Sequence, residues 1–340
     1  MTTTIKDIAK RVGVSPSTVS RVINRTASIS EETKEKIYEA MKEMDYHPNS
    51  LARSLVNGNT FTIGLVIDAG NSDAFSNAFF IRSVSAIEAV TQQRGYNLLI
   101  TNDANNESNN AVKNLILENK VDGVILPVSI VTDELIDLLT GNKFPFVIMG
   151  EPEKSREEFC WVDMDNEKGG EDAVKHLIHR GYKHPVLFVE NKGTMFERKR
   201  IQGFRNETER HGITWHRENI IECGSEGTDI EKALKNVLLK NTETDSIICT
   251  NNTVAYHVLK ELKRQKRRVP DDIGVVTFDN YPLAEYMEPP LTVVDVDTYK
   301  LGEAAAVALF NMIKEQKSKT EQKLLETRIL ERESTRKGEG

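Results

Sequence analysis

A chain of 340 residues is longer than one ordinary hydrophobic core organises, so two or three domains are expected. Hydrophobic residues make up 39% and charged residues 29%, and no apolar run approaches the roughly eighteen residues of a membrane span, which excludes a membrane protein of the helical kind. The net charge of −7 argues against a nucleic-acid partner until it is divided: residues 1–60 carry +2, residues 1–30 alone carry +4, and the remainder carries −9, a small basic head on an acidic body.

The head reads as three short helices. Ile5, Ile8, Ala9 and Val12 recur at helical spacing and Gly13 closes the segment. Ser15 is placed to cap a second helix, with Pro16 at its first position, where a missing N–H costs nothing, and Thr18, Val19 and Val22 supplying periodic contacts. Ser30 opens a third helix with Ile37, Ala40, Met41 and Met44 on one apolar stripe. A helix, tight turn and helix presents the start of its second helix to a major groove. Here Pro16, Ser17 and Arg21 face base edges; Arg21 can donate two hydrogen bonds to a guanine. Lys6, Ser15, Thr18, Ser20, Asn24 and Ser30 are short or basic donors suited to phosphates. From His47 to Thr60 the chain reads as a linker with a helical turn or two, started by Pro48 and ended by Gly58.

From Phe61 short apolar runs such as TIGLVID, DGVILPV, HPVLFVEN and IGVVTFD alternate with amphipathic stretches, predicting parallel strands joined by helices. The fold class is therefore α/β, with an all-α helix-turn-helix head and a two-lobed, periplasmic-binding-protein-like body of parallel sheets. The boundaries are read as 1–46 for the head, 47–60 for hinge and linker, 61–162 with 293–318 for the first lobe, and 163–292 with 319–332 for the second. Crossing segments make a hinged cleft, and ligands bind in such clefts near strand C-termini. Arg200, Asn251 and Asp279 each follow or lie just beyond an apolar strand and offer the planar bidentate groups that vicinal hydroxyls require. Asp165 and Asn166 are expected to cap a helix whose first turn holds Gly169 and Gly170.

The run TIKDIAKRVGVSPSTVSRVINRTASISEETKEKIYEAMKEMDYHPNSLARSL resembles the signature head of the lactose-repressor (LacI/GalR) family, and the resemblance continues through VDGVILP, VDMDNEKGG, RIQGFRN and VVTFDN. It implies a sequence-specific DNA-binding transcriptional regulator, a repressor, controlled allosterically by a small sugar-like effector. It also implies a homodimer on palindromic operator double-stranded DNA, in which Asn49 to Val56 forms a hinge helix in the minor groove. Asn49 and Ala52 would face the DNA there, and Leu55 would wedge a base step apart. RIQGF and FDN carry the effector-gripping arginine and aspartate, Arg200 and Asp279. Phe79, Phe80, Phe196 and Phe278 match pocket-lining positions, and Ser129 stands on the matching loop of the first lobe. One departure is that Gly224 to Asp229 lacks the aromatic residue many sugar-responsive relatives place there, so Phe196 or Trp161 is the candidate platform. SPSTVSRVI, YHPNSLARSLV and FVIMGEP are most similar to maltose or α-glucoside operon regulators.

Other functions are weighed against this. Nothing near the N-terminus reads as an export signal, so a cytoplasmic protein is expected and a secreted solute-binding protein disfavoured. No nucleophile elbow, phosphate loop or dinucleotide fingerprint is present, so no enzyme and no cofactor is expected. Lys168 stands where a calcium loop needs glycine, and Cys160, Cys223 and Cys249 lack metal or disulfide spacing; they are read as packing residues. A corepressor ligand or phosphoprotein partner remains as the alternative form of control.

Overall fold

The computed structural model describes residues 3–24, 29–47, 58–68, 78–103, 110–154, 159–214, 216–315 and 321–336. In the head, α1 (Ile5–Val12), α2 (Pro16–Asn24) and α3 (Glu31–Glu43) form where the spacing predicts them. The Asp7 carboxylate accepts from the backbone N–H and the hydroxyl of Thr4, and Gly13 closes α1 in the left-handed region at φ 77°, which glycine adopts without a Cβ clash. Ser15 Oγ accepts from Thr18 N at 3.1 Å, the expected cap. Ser30 instead shares a hydrogen bond with the Thr33 hydroxyl, so its side chain makes no backbone cap. Ile8, Ala9, Val19, Val22, Ile37 and Ala40 are buried together, the isoleucine and valine side chains contributing about 1.5–3 kcal/mol each on burial.

The body holds two six-stranded sheets. The first contains β1 (Thr62–Asp68), β2 (Asn97–Asp103), β3 (Gly123–Pro127), β4 (Phe146–Met149), β5 (Trp161–Met164) and β11 (Gln322–Leu325), in the order β11-β5-β4-β3-β1-β2. The second contains β6 (Pro185–Val189), β7 (Ile220–Glu222), β8 (Ser246–Cys249), β9 (Gly274–Phe278), β10 (Thr292–Asp295) and β12 (Arg328–Leu330), in the order β12-β10-β9-β8-β6-β7. All pairings are parallel except β10 with β12, so both faces need helical cover and the central strands read as near-continuous apolar runs. The cover comes from α4 (Ala78–Gln93), α5 (Asn110–Leu117), α6 (Asp133–Gly141), α7 (Asn166–His179), α8 (Met195–Arg210), α9 (Gly227–Lys240), α10 (Asn252–Arg264), α11 (Pro282–Tyr286) and α12 (Thr298–Glu315).

The chain crosses between lobes three times, at positions that differ from the sequence reading. β5 belongs wholly to the first sheet, which moves the first crossing from 162 to after Met164. β10 lies in the second sheet, so the return to the first lobe follows Asp295 rather than Thr292. The run LLETRILER contributes to two strands rather than one: β11 pairs with β5 in the first sheet and β12 with β10 in the second. The physical reason is that these crossing strands are only three or four residues long, and an apolar alternation that short does not record which sheet it joins. Among the described residues no helix is long and apolar enough to cross a membrane. All three cysteines are buried and free.

Candidate functional site

Two constellations stand apart from the packing. On the head, Ser15, Pro16, Ser17 and Arg21 are exposed along the start and outer face of α2, with Lys6 and Ser30 exposed nearby and Thr18 and Ser20 half-buried. Ser15 Oγ lies 2.7 Å from Ser17 Oγ and 2.8 Å from Thr18 Oγ1, gathering three hydroxyls at the positive end of the helix dipole. The cations of the head divide into two groups. Arg11, Lys34 and Lys36 are engaged with Glu43, Glu31 and Glu32. Lys6, Lys10, Arg21 and Lys42 form no ion pair among the described residues, so their charge is available to a polyanion; Lys10 and Lys42 were not singled out from the sequence. The side chain of Asn24 and the predicted hinge residues Asn49, Ala52 and Leu55 lie outside the described residues.

The second constellation is a cavity of about 940 Å³ between the lobes. Strand β9 ends in Phe278, and Asp279 follows in the left-handed region at φ 72°, a conformation aspartate tolerates better than most residues. Asn252 fixes that turn by donating from Nδ2 to the carbonyls of Phe278 and Asp279 at 3.3 and 2.9 Å. Asp279 lines the cavity, is 9% exposed, and its Oδ1 is buried without a hydrogen-bond partner among the described residues. Burial first, and then the neighbouring Asp295, push its pKa up to about 6 against the opposing pull of Arg200.

Arg200 reaches the same point from α8. Its Nε donates to Asn166 Oδ1 at 3.0 Å and its Nη1 to the Thr250 carbonyl at 2.7 Å, while its guanidinium carbon lies 3.9 Å from the Phe278 ring centre and 5.1 Å from that of Phe196. Nη2 donates to no acceptor among the described residues. Glycine brings α7 and α8 close enough for this. A Cβ on Gly203 would sit 1.9 Å from the Glu167 carbonyl, and one on Gly170 would sit 2.4 Å from that of Arg200; no residue with a side chain fits either place.

The other sequence candidates fall out unevenly. Ser129 and Phe196 line the cavity and are exposed. Asn251 lines it as well, but its amide is already engaged: Oδ1 caps α10 at Val254 N, and Nδ2 donates to Glu190 Oε2 at 2.7 Å. Phe278 is fully buried beneath Arg200 and is a support rather than a lining residue, because its strand position points it into the core between helix and sheet. Trp161 packs in the first lobe's core and offers no platform, which leaves Phe196. Asp165 caps α7 through Lys168 N as expected, whereas Asn166 is turned inward to Arg200. The side chains of Phe79 and Phe80, on α4, lie outside the described residues. Sequence reasoning missed Asp163, Glu190, Glu197, Thr250 and Asn252. The usable signal was that Asp163 and Glu190 stand in or just after β5 and β6, where a cleft of this kind gathers side chains.

An exposed helix-turn-helix face bearing unpaired cations and a polar cleft between two lobes fit a helix-turn-helix regulator with a sensing body. Comparison with known proteins agrees. Residues 4–49 match the family model of bacterial regulatory proteins, lacI family, and residues 174–335 match that of the periplasmic binding protein-like domain. An HTH-type transcriptional repressor PurR of Vibrio cholerae is 32% identical over 336 residues, covering 98% of each chain. Among solved structures, a transcriptional regulator CelR–cellobiose complex is 27% identical with a TM-score of 0.72, covering 98% of this chain and 99% of that one. A probable maltose operon transcriptional repressor malR from a Staphylococcus is 25% identical with a TM-score of 0.74, covering 83% and 100%. The chain belongs to the lacI family of bacterial regulatory proteins. It is a DNA-binding transcriptional repressor with a small-molecule effector, and not an enzyme.

Proposed function

We propose that α2 reads the operator, with Ser17 and Arg21 on base edges and Lys6, Lys10, Ser15, Thr18, Ser20, Asn24 and Ser30 on phosphates. Asn49, Ala52 and Leu55 complete the contact in the minor groove when two copies pair on a palindromic site in the cytoplasm. The effector is sugar-like and is held by Arg200 and Asp279, with Ser129, Asn251 and Phe196 around it and Phe79 and Phe80 at the first lobe's side. The observation that carries this is the juxtaposition of an orphaned carboxylate oxygen on Asp279 with the partly unengaged guanidinium of Arg200. An acceptor and a donor side by side match two neighbouring hydroxyls. The cellobiose bound to one structural relative and the maltose operon named for another support a sugar as well.

The test is a titration of a labelled duplex, selected from random sequence with this protein, in the presence of mono- and disaccharides. A sugar that changes the affinity for that duplex in the intact protein, and has no effect in Asp279→Asn, supports the reading. A response preserved in Asp279→Asn contradicts the site.

A further inference from the structure

Eight of the residues lining the cleft are Asp or Glu and two are Lys or Arg, among the described residues. At the rim this excess is largely offset. Glu153 pairs with Arg198, Glu151 with Lys199 at 3.3 Å, and Asp133 with Lys154 at 3.5 Å. Deeper in, the balance changes. Among the described residues, Arg200 is the one cation there, with Asp163, Glu197 and Asp279 all acting on it, and the Glu190 side chain, which lines the same space, accepts a hydrogen bond only from the neutral Asn251 amide. Among the described residues none of the four makes a hydrogen-bonded ion pair, since Arg200 donates to Asn166 and to the Thr250 carbonyl instead.

Charge buried without compensation is costly and draws an opposite charge. Asp279 marks the unmet demand most directly: it is nine-tenths buried, lines the cleft, and leaves Oδ1 without a partner among the described residues. Burial raises the pKa of Asp163 and of Glu197 as well, against the pull of Arg200 and of the hydrogen bonds that Asp163 accepts from Glu151 N and Met164 N and Glu197 accepts from Glu190 N, Asn191 N and Thr250 Oγ1. A phosphate or carboxylate entering this space would meet four carboxylates and one guanidinium.

Building on the sugar-like reading above, we infer that the effector carries an amine that sits among Asp163, Glu190 and Asp279, and that phosphorylated or carboxylated ligands are excluded. Arg200 and Asp279 grip the hydroxyl edge, while the ammonium donates to the carboxylates that Arg200 leaves unpaired. Such a ligand brings the compensating charge that the protein itself does not supply.

Isothermal titration of the full-length protein at low salt with matched probes decides between ligand charges. One set is glucose, glucosamine and glucose 6-phosphate; a second is cellobiose, the β-1,4-linked glucosamine dimer and cellobiose 6-phosphate; a third, without sugar, is putrescine against succinate. The inference expects the aminated sugar of at least one set to bind about tenfold more tightly than its neutral parent, with no measurable binding of the phosphate ester. Glu190→Gln, which keeps an acceptor for Asn251, should then remove most of the amine's advantage. A neutral sugar or phosphate ester that binds as tightly as the amine overturns the inference while leaving the sugar reading intact. Binding of putrescine but of no sugar overturns the sugar reading and upholds the amine. Succinate binding in preference to putrescine, or binding of neither alongside no sugar, overturns both.

Discussion

The guanidinium carbon of Arg200 lies over the ring of Phe278, 3.9 Å from its centre, so the cleft's central cation is held by an aromatic face below and two neutral acceptors at its side. Planarity is essential to that arrangement. A desolvated cation–π contact is worth about 2 kcal/mol, and an ammonium can neither stack nor donate in the same fork. Arg200→Lys should therefore weaken effector binding by about tenfold to a hundredfold despite keeping the charge, as measured by titration calorimetry. Affinity equal to the parent's would show that only charge matters at this position.

Asp279 is held ionised at a cost. Its pKa stands at about 6 in the folded protein against an ordinary 3.8, so between those values the native state holds a proton the unfolded chain has lost. Its contribution to stability thus falls as pH rises through that window, by at most about 3 kcal/mol once both states are ionised. Asp279→Asn keeps a residue suited to positive φ and removes the charge. Thermal unfolding without ligand should show the variant melting several degrees higher than the parent at pH 7 and the gap closing towards pH 4. A gap that widens on acidification would reverse the assigned sign.

The approach of α7 to α8 makes a separate prediction. Gly203→Ala would drive a Cβ onto the Glu167 carbonyl, and overpacking of backbone on backbone should cost about 3 kcal/mol or more. Gly141, the last residue of α6, has nothing within 4 Å of its Cβ position, so Gly141→Ala should be neutral or slightly stabilising. Denaturant unfolding of the two variants compares them directly; equal stabilities would mean the helices part more easily than their geometry implies.

On the head, Arg21 and Lys6 are both exposed cations without an ion pair among the described residues, yet different losses are expected. Arg21→Ala should reduce binding to the selected duplex by about 1–3 kcal/mol and leave scrambled duplex nearly unaffected. Lys6→Ala should weaken both alike and lower the slope of log affinity against log salt by about one. Fluorescence anisotropy over a salt series separates the cases, and identical behaviour of the two variants would remove the distinction between reading and anchoring.

Much of this was legible in the sequence because the signals are local. Ser15, Pro16 and Gly13 state where helices of the head begin and end through capping and φ preference alone. The apolar runs of β3, β6 and β9 announce buried parallel strands, and Arg200 and Asp279 stand where such strands deliver side chains. What stayed hidden depends on three-dimensional neighbours. Nothing in LLETRILER shows that Leu325 and Arg328 join different sheets. Trp161 and Phe278 were plausible pocket aromatics until packing put both in the core. The carboxylates around Arg200 come from α8 and from three separated segments at β5, β6 and β9, so their shared excess of charge exists only after folding. Gly170 and Gly203 were visible as glycines, but the contact that demands them is between two helices.

The most direct test of the whole account is the affinity of the full-length protein for its selected duplex and for a scrambled duplex, each with and without a bound sugar, by fluorescence anisotropy at physiological salt. The account predicts a preference for the selected duplex of about a thousandfold or more and a change of roughly fivefold to a hundredfold on ligand binding, lost in Asp279→Asn. Equal affinity for both duplexes in every condition would contradict it.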